Sequence, residues 1–377
     1  MKQSVSFGFG ALAKLQGVLA QLQAKRAFLV TGNASYTASG LAAALHEALP
    51  ADAIFRFSEF SENPKVDDVA AGVAALRADR FDVVVAAGGG SAIDMAKLVN
   101  LFAHQRVEPR QLLDGAALEH RGLPLVAIPT TAGSGSEATH FGVLYVDGIK
   151  HSIASPAMLP AFAIVDPTLT RSLPPRLTAI TGMDALAQAI ESYWCVHSTG
   201  ESKSYARRAI ALVLDHLATA VRRPSDVDRR GMSKAAHLAG RAINLSRTTG
   251  PHALSYALTA HYGIRHGHAV ALTLGEFFVF NRGVSERDVT DARGAGYVRG
   301  TIDDLAAQMG CRDAAECRAR LHELMHAIGL PTRLGELGIS AHEAVDLVAG
   351  NVNVERLRNN PRAMTAEQLH ELVAGVC

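Results

Sequence analysis

The sequence predicts an α/β domain built on a parallel sheet, followed by an all-α domain. Over roughly the first 170 residues, short β-branched runs alternate with amphipathic helical stretches, which is typical of βαβ units. After about Pro175 this alternation ends, and Ala, Leu, Arg and His recur at helical spacing. A chain of 377 residues is long enough for two such domains, which we expect to span 1–175 and 176–377.

Five short apolar runs predict the buried strands of the first domain. In a parallel sheet, the ligand crevice opens at the carboxyl ends of the strands, so the residues that follow these runs are the first candidates for a site. In the second domain, Ser204–Thr219 and Ser233–Leu245 have helical periodicity, and no convincing strand pattern occurs. The predicted strands are Arg26–Thr31, Ala53–Phe57, Phe81–Ala87, Pro124–Ile128 and Phe162–Asp166.

Composition and charge exclude several classes of protein. Hydrophobic residues make up 48% of the chain, and 37 Lys and Arg nearly cancel 36 Asp and Glu, so no global basic field exists for nucleic acid or a membrane surface. The N-terminal sequence lacks the apolar core of a secretory signal, and no segment approaches the run of about 18 apolar residues that a membrane helix needs. The four cysteines have no CxxC spacing, which favours reduced thiols. We therefore expect a cytoplasmic protein that binds neither nucleic acid nor a membrane.

Two glycine- and hydroxyl-rich turns follow predicted strands. In the first, the strand that begins at Phe81 continues into Gly88, Gly89, Gly90 and Ser91, and a helix follows with Asp94 in its first turn. Glycines allow a ligand to approach the backbone, and the free amides of a helix start favour a phosphate group. The alternative is a tight turn that binds nothing, and the GxGxxG fingerprint is absent.

The second turn supports the same interpretation. It spans Ala127–Thr139 and contains Thr130, Thr131 and Ser136, whose hydroxyls can bind ribose, phosphate or amide groups.

A set of potential metal ligands lies in the second domain. Asp184 and Gln188 are four residues apart on one face of a predicted helix, and His252 and His266 lie on and after another helical stretch. A carboxylate and two imidazoles can hold a first-row metal. With 16 histidines in the chain, this spacing alone is a weak signal, because most single histidines are surface or hydrogen-bonded core residues.

Several long motifs, in order, carry a family resemblance. They are GGGSAIDMAK, IPTTAGSGSEAT, AIVDP, GMDALAQAIESYW and PHALSYALTAHYGIRHGHA. Together they resemble the iron-containing (group III) alcohol dehydrogenases over nearly the whole chain. The resemblance implies a Rossmann-like dinucleotide-binding domain and an all-α domain, an architecture shared with dehydroquinate synthase-like proteins. It also implies NADH or NADPH, a divalent metal (Fe²⁺ or Zn²⁺) between the domains, and a homodimer.

The resemblance assigns the metal ligands and shows two departures from the family pattern. Asp184, His252 and His266 match three family ligands, but Gln188 occupies the position of a fourth, a histidine. An amide oxygen is a weaker ligand than imidazole, so retention of the metal is an open question. Tyr256 occupies the position of another active-site histidine, and its hydroxyl can reach substrate or cofactor. His266 should also face the substrate, whose carbonyl oxygen a metal with an open position would polarise as hydride arrives.

The resemblance also extends the predicted cofactor site. It places Asn63 and Pro64 near the adenosine, Gly89, Gly90 and Ser91 at the pyrophosphate, Thr130 and Thr131 at the phosphate or nicotinamide, and Lys150 near the ribose. Many relatives carry an aspartate after the strand threonine, and it repels a 2′-phosphate. This chain has Gly32 and Asn33 there, so we expect NADPH to be accepted, alone or alongside NADH.

The substrate prediction comes from a narrower resemblance. Segments such as THFGVLYVDGIKHSIASP and ESYWCVHSTGESKSYA resemble the phosphonoacetaldehyde reductases, which make 2-hydroxyethylphosphonate. A phosphonate needs local cations and hydroxyls, although each such residue taken alone is more often a solvated surface group. The candidates for binding this small anionic aldehyde are Lys203, Arg265, His268 and Arg358, with Ser198, Thr199 and Arg356 as further possibilities.

Four alternatives remain open at this point. Within the family, the substrate can be a neutral short-chain aldehyde or alcohol. Outside it, His322, Glu323 and His326 have the HExxH spacing of zinc metalloproteases, although their segment also fits an ordinary helix with an apolar face. A dehydroquinate synthase-like lyase shares the architecture. Gln188 and Tyr256 also allow a binding protein without catalytic activity.

Overall fold

The computed structural model describes residues 3–32, 36, 40–106, 111 and 120–377. The chain divides into two compact units, Met1–Leu173 and Pro174–Cys377, which are described separately below. Among the described residues, no helix is long and apolar enough to cross a membrane.

The first unit contains a six-stranded parallel sheet and a separate hairpin. The sheet order is β1-β8-β5-β4-β2-β3, and β6 pairs with β7 in antiparallel fashion. The strands are β1 (Ser4–Phe7), β2 (Ala27–Thr31), β3 (Ile54–Phe57), β4 (Val83–Gly88), β5 (Leu125–Pro129), β6 (Phe141–Val146), β7 (Ile149–Ala154) and β8 (Phe162–Val165).

Helices cover both faces of this sheet. Alternate residues of the central strands enter two apolar cores, for example Val84 into one and Val85 into the other. Because both faces are buried, the strands are continuous apolar runs, which is why the sequence reveals them so clearly. The described helices of this unit are α1 (Lys14–Gln21), α2 (Leu41–Ala48), α3 (Val66–Arg77) and α4 (Gly90–Ala103).

The strand order creates a switch point at β2 and β4. The chain passes from β2 to β3 on one side and from β4 to β5 on the other, so the carboxyl ends of β2 and β4 border the crevice in which sheets of this type bind ligands. Thr31 is the register partner of Ala87, and Gly88 is the partner of Pro129. The ends of β2, β4 and β5, which lead into the sequence-predicted turns, are therefore neighbours.

The second unit is helical. Its central helix, α5, packs against α6, α7, α9 and α10. Capping boxes fix the starts of α6 and α7: Thr199 with Ser202, and Ser225 with Asp228. The helices are α5 (Pro175–Trp194), α6 (Gly200–Arg222), α7 (Asp226–Ser246), α8 (Gly250–Tyr262), α9 (His266–Arg282), α10 (Ala295–Gln308), α11 (Ala314–Ala327), α12 (Ala341–Gly350), α13 (Val354–Leu357) and α14 (Ala366–Ala374).

The structure confirms the predicted fold class and all five predicted strands, each within two residues of its predicted bounds. The sequence interpretation missed β1 and the β6–β7 hairpin. The hairpin turns at Asp147 and Gly148, both of which have positive φ (51° and 79°), as a two-residue turn of this kind requires.

A buried lysine joins α4 to the segment that follows β5. Lys97 is 1% exposed, and its Nζ donates to Ser136 Oγ (2.9 Å), Thr139 Oγ1 (2.9 Å) and the carbonyl oxygen of Phe141 (2.8 Å). Asp94, one turn earlier, accepts from the Ser136 hydroxyl at 2.5 Å and lies 3.9 Å from the lysine. Burial lowers the pKa of Lys97 to about 8, although Asp94 opposes the shift. This network fixes the second glycine-rich turn on α4.

We expect Lys97→Met to lower the free energy of unfolding by about 3 kcal/mol, because three buried acceptors lose their donor and Asp94 loses its counter-charge. Urea unfolding followed by circular dichroism measures the change. Lys25→Met is the matched control, because it removes the same group from an exposed position. Equal effects of the two substitutions would show that the network contributes nothing.

Candidate active site

One face of α5 carries three buried polar residues. Asp184, Gln188 and Glu191 are spaced by four and three residues, so they share a side of the helix. They are 7%, 4% and 0% exposed, and most of the surrounding helix is apolar and buried. Polar groups buried at this depth need partners or a ligand.

Two histidines from neighbouring helices complete the group. His252 lies in the first turn of α8, and His266 begins α9. One ligand atom from each of Asp184, His252 and His266 lies within 4.8 Å of the other two, and the two imidazole rings are 5.2 Å apart and nearly perpendicular. Gly267 makes this approach possible, because a Cβ there would lie 2.2 Å from the carbonyl oxygen of Ile180 on α5.

The group fits a divalent metal ion. Asp184 Oδ1 and Gln188 Oε1 are buried and accept no hydrogen bond within the described part of the chain, and His252 Nε2 lies 3.6 Å from Asp184 Oδ1. A carboxylate, two imidazoles and an amide oxygen are a donor set that Zn²⁺ and Fe²⁺ accept. The structure thus brings together three of the four metal ligands predicted from the sequence, and the fourth, Gln188, follows Asp184 by one turn of the same helix. Asp184 and Gln188 each have a buried oxygen without a partner in the described chain.

The charges at this group favour a cation. Burial alone would raise the pKa of Asp184, but the neighbouring imidazoles of His252 and His266 hold it below its usual range. Burial would lower the pKa of His252, but the carboxylates of Glu191 and Asp184 raise it to about 9. A bound metal would replace the proton on this imidazole, because a ligating histidine must be neutral.

Glu191 is a functional residue that the sequence interpretation missed. Its Oε1 accepts from the amide of Thr249 (2.9 Å), the hydroxyl of Thr249 (3.0 Å) and the amide of His252 (3.3 Å), and its Oε2 contacts His252 Nδ1. Carboxylates commonly hold the second nitrogen of a metal-bound histidine in this way. The available signal was its position, seven residues after Asp184 on the same helix face.

In the first unit, the two predicted turns lie side by side. Gly88 ends β4, and Gly89 precedes α4 without a side-chain cap. The amide of Thr130 donates to the carbonyl of Gly88 (2.9 Å), and a Cβ on Gly89 would lie 3.3 Å from Thr131. The first-turn amides of α4, including those of Gly90 and Ser91, are therefore placed at the switch point, where a helix start binds phosphate.

The other residues predicted to bind the cofactor lie in different surroundings. Asp94 and Ser136 bond to each other within the Lys97 network, so their side chains already have protein partners. Tyr145 on β6 connects Pro64 with Lys150. Its amide donates to the Pro64 carbonyl (2.7 Å), and it pairs with Lys150 in the β6–β7 hairpin. Asn63 is exposed beside Pro64, Gly32 follows β2, and Asn33 lies outside the described residues.

The basic residues predicted to bind substrate do not form one cluster. Lys203 donates to Thr301 (3.1 Å) and lies over the rings of Tyr193 and Tyr297. Arg358 is exposed immediately after α13, and Arg356 within that helix is buried.

Arg265 and His268 line a cavity of about 630 Å³ together with Arg176 and Tyr262. Side chains two positions apart on a helix point about 200° apart, so His268 does not share the face of His266. The His268 Nε2 donates to the Pro331 carbonyl (2.8 Å), and burial lowers the pKa of this imidazole. Tyr256 lies one turn after His252 on α8 and shares its helix face.

A dinucleotide-type parallel sheet, followed by a helical unit that brings Asp184, His252 and the half-buried His266 together, is the architecture that the sequence resemblance predicts. Two family models match this chain: "Iron-containing alcohol dehydrogenase" over residues 2–167, and "Fe-containing alcohol dehydrogenase family, C-terminal" over residues 178–376. The chain belongs to the iron-containing alcohol dehydrogenase family, whose members are alcohol dehydrogenases and aldehyde reductases.

Individual relatives cover most of the chain. A phosphonoacetaldehyde reductase of Streptomyces viridochromogenes is 36% identical over 324 residues, which are 81% of this chain and 79% of the relative. Long-chain-alcohol dehydrogenase 1 of Geobacillus thermodenitrificans is 32% identical over 357 residues, 93% of this chain and 89% of the relative. The crystal structure of sulfoacetaldehyde reductase from Bifidobacterium kashiwanohense in complex with NAD⁺ has a TM-score of 0.89 and 32% identity, covering 99% of this chain and 96% of that one.

The family assignment decides against the protease and lyase alternatives. His322, Glu323 and His326 lie on α11, where Leu321 and Met325 form a buried apolar face. In the parts of the chain that are described, the one group of three or more potential metal ligands is Asp184, His252 and His266, so the HExxH pair has no third ligand.

We expect Glu191→Gln to weaken zinc binding by about 10- to 100-fold. The amide oxygen can replace Oε1 toward the Thr249 and His252 amides, but the amide NH₂ would face His252 Nδ1. The imidazole would then have to carry its proton on Nε2, the nitrogen that faces Asp184, where it blocks metal ligation. Competition between metal-free protein and a chromophoric chelator measures the affinity.

Thr249→Val is the control, because it removes a hydroxyl that donates to the same carboxylate and leaves His252 Nδ1 untouched. It should lower Tm and change zinc affinity by less than about threefold. If Glu191→Gln binds zinc as tightly as the wild type, Glu191 does not position the imidazole.

Proposed function

We propose that this chain is an NAD(P)H-dependent, metal-assisted aldehyde reductase whose preferred substrate is phosphonoacetaldehyde, reduced to 2-hydroxyethylphosphonate. The observation that carries the reductase proposal is the group of buried Asp184, buried His252 and half-buried His266 in a chain of the alcohol dehydrogenase family, with Gln188 one turn after Asp184. Asp184 Oδ1 and Gln188 Oε1 are available to a cation.

The cofactor proposal depends on the first unit. The uncapped start of α4 and the adjacent Thr130 and Thr131 suit the pyrophosphate of a dinucleotide. Tyr145 joins Pro64 to Lys150 at a second place where ribose or adenosine can bind. The sulfoacetaldehyde reductase with a similar fold was solved with NAD⁺, which supports a nicotinamide cofactor here.

The chemistry divides between the metal and the chain. When bound, a divalent metal supplies Lewis-acid polarisation of the aldehyde oxygen, which favours hydride transfer from the nicotinamide. Asp184, His252, His266 and Gln188 would hold it, and Glu191 keeps His252 Nδ1 engaged so that Nε2 faces the site. Tyr256, on the His252 face of α8, is our candidate for a hydroxyl that donates a hydrogen bond to the substrate oxygen.

The substrate proposal is supported by the names of two relatives. One, found by sequence, reduces phosphonoacetaldehyde and the other, found by fold, reduces sulfoacetaldehyde; both names describe a two-carbon aldehyde with a tetrahedral anionic group. A long-chain-alcohol dehydrogenase has comparable identity, so a neutral substrate is the competing outcome.

We expect kcat/KM for phosphonoacetaldehyde to exceed that for acetaldehyde and propanal, with about one metal ion per chain. NADPH and NADH oxidation at 340 nm measures this, and we expect NADPH to be accepted. Metal removal with a chelator should abolish reduction, and Zn²⁺ or Fe²⁺ should restore it. A value for phosphonoacetaldehyde no better than for propanal would reject the substrate, and a metal-free protein with full activity would reject the role of the metal.

We expect Gln188→His to raise zinc affinity by about tenfold or more, because imidazole is a stronger ligand for zinc than a neutral amide oxygen. Gln188 is 4% exposed and lies on the same helix face as Asp184, so the new ring would face the group. Chelator competition measures the change, with Gln308→His on α10 as the control. Unchanged affinity in Gln188→His would show that position 188 does not reach the metal.

A further inference from the structure

Ser255 lies between the two histidines of the candidate metal site. It is in α8, one turn after His252, and it is 0% exposed. Its Oγ lies 2.8 Å from the carbonyl oxygen of His252 and 3.3 Å from Nδ1 of His266, the first residue of α9. One buried hydroxyl group therefore contacts the backbone of one predicted ligand and the ring of the other.

These two contacts determine the direction of both hydrogen bonds. A serine hydroxyl has one hydrogen and two acceptor lone pairs. The His252 carbonyl oxygen can only accept, so the Ser255 hydrogen points toward it, as is common for a serine within a helix. Toward His266 the Ser255 oxygen can then act only as an acceptor, so Nδ1 of His266 carries a hydrogen and donates it.

The direction of these bonds assigns the metal-binding nitrogen of His266. A neutral imidazole carries its hydrogen on one ring nitrogen and a lone pair on the other. With the hydrogen held on Nδ1, the lone pair of the neutral ring is on Nε2, and a ligating histidine must be neutral. Ser255 thus favours the tautomer of His266 that binds a metal through Nε2.

The arrangement at His266 parallels the one at His252. Glu191 contacts Nδ1 of His252 and Ser255 contacts Nδ1 of His266, so a buried side chain engages the same nitrogen of each ring. A neutral hydroxyl is a weaker acceptor than a carboxylate. Ser255 has a second effect that Glu191 lacks, because its bond to the His252 carbonyl links the two histidines to each other.

We propose that Ser255 is a positioning residue of the metal site, which holds His266 with its hydrogen on Nδ1 and ties this ring to the backbone of His252. The inference rests on the metal-assisted reaction proposed above and deepens it, because it names the side chain that prepares the second imidazole. Removing the partner of a ligating histidine typically weakens metal binding by about 10- to 100-fold. As a neutral acceptor, Ser255 belongs at the lower end of this range.

Ser255→Ala tests this role, because it removes the acceptor and introduces a residue that favours a helix. The His266 ring would then carry its hydrogen on Nε2 for part of the time, where it blocks ligation. We expect zinc affinity to fall about tenfold. Competition between metal-free protein and a chromophoric chelator measures the affinity, and circular dichroism and Tm establish that the variant is folded.

Thr273→Val is the matched control. Thr273 is also 0% exposed, and its hydroxyl donates to the carbonyl of Val270, three residues earlier, as the Ser255 hydroxyl does to His252. It lies on α9 two turns after His266, so this substitution removes a buried hydroxyl without altering the contact at the ring. Zinc affinity should stay within about twofold of the wild type.

Ser255→Thr is the conservative variant. It keeps the hydroxyl, and a threonine hydroxyl within a helix can make the same bond to the preceding turn. We expect it to retain zinc affinity within about threefold. A folded Ser255→Thr protein with the Tm of the wild type that binds zinc as weakly as Ser255→Ala would overturn the inference.

The outcomes separate this inference from the proposed function. A wild type that binds no zinc would overturn the metal-assisted reaction and the role of Ser255 together. If the wild type binds zinc and Ser255→Ala binds it equally tightly, the metal proposal stands and the role of Ser255 is wrong. Equal losses of affinity in Ser255→Ala and Thr273→Val would show that helix packing, and not the contact with His266, sets the affinity.

Discussion

The buried carboxylate of Glu191 determines the geometry of the helical unit around the site. Glu191 lies on α5 and is 0% exposed. One of its carboxylate oxygens accepts hydrogen bonds from the amides of Thr249 and His252, and the other contacts the His252 ring. A buried charge without partners is very costly, so α8 can start only where those amides reach the carboxylate. The start of α8, and with it the position of His252, is therefore tied to this carboxylate as well as to the apolar packing of the helix.

In the first unit, a buried charged side chain also joins a helix to a distant segment, but it leaves no polar group available to a ligand. Lys97 on α4 joins the helix to the segment after β5, as Glu191 on α5 joins its helix to the segment before α8. The ammonium group of Lys97 has three oxygen acceptors, so it has no donor left for a ligand. On α5, Asp184 and Gln188 keep buried oxygens that no group in the described chain satisfies. Comparable networks thus satisfy every polar group around Lys97 in one unit and leave two buried oxygens without partners in the other.

The predictable part of the molecule is the part encoded locally. The five central strands are buried on both faces and were visible as apolar runs, and the triad of Asp184, His252 and His266 was found because of its residue types and the family motif. The β6–β7 hairpin was readable from Asp147-Gly148 between alternating residues but was overlooked. The role of Glu191 could not be predicted from the sequence, because its partner His252 is 61 residues away along the chain. A carboxylate on a helix does not indicate which distant residue it will contact.

The shared dependence on Glu191 has a consequence for the metal site. The same carboxylate contacts the His252 ring and accepts hydrogen bonds from the amide and hydroxyl of Thr249, so one side chain fixes both the start of α8 and the imidazole that faces Asp184. A ligand that is already held in place loses little conformational freedom on binding, which favours affinity. Glu191 would therefore support metal binding without touching the metal, and a site whose fourth ligand is the weak amide oxygen of Gln188 would depend strongly on that support.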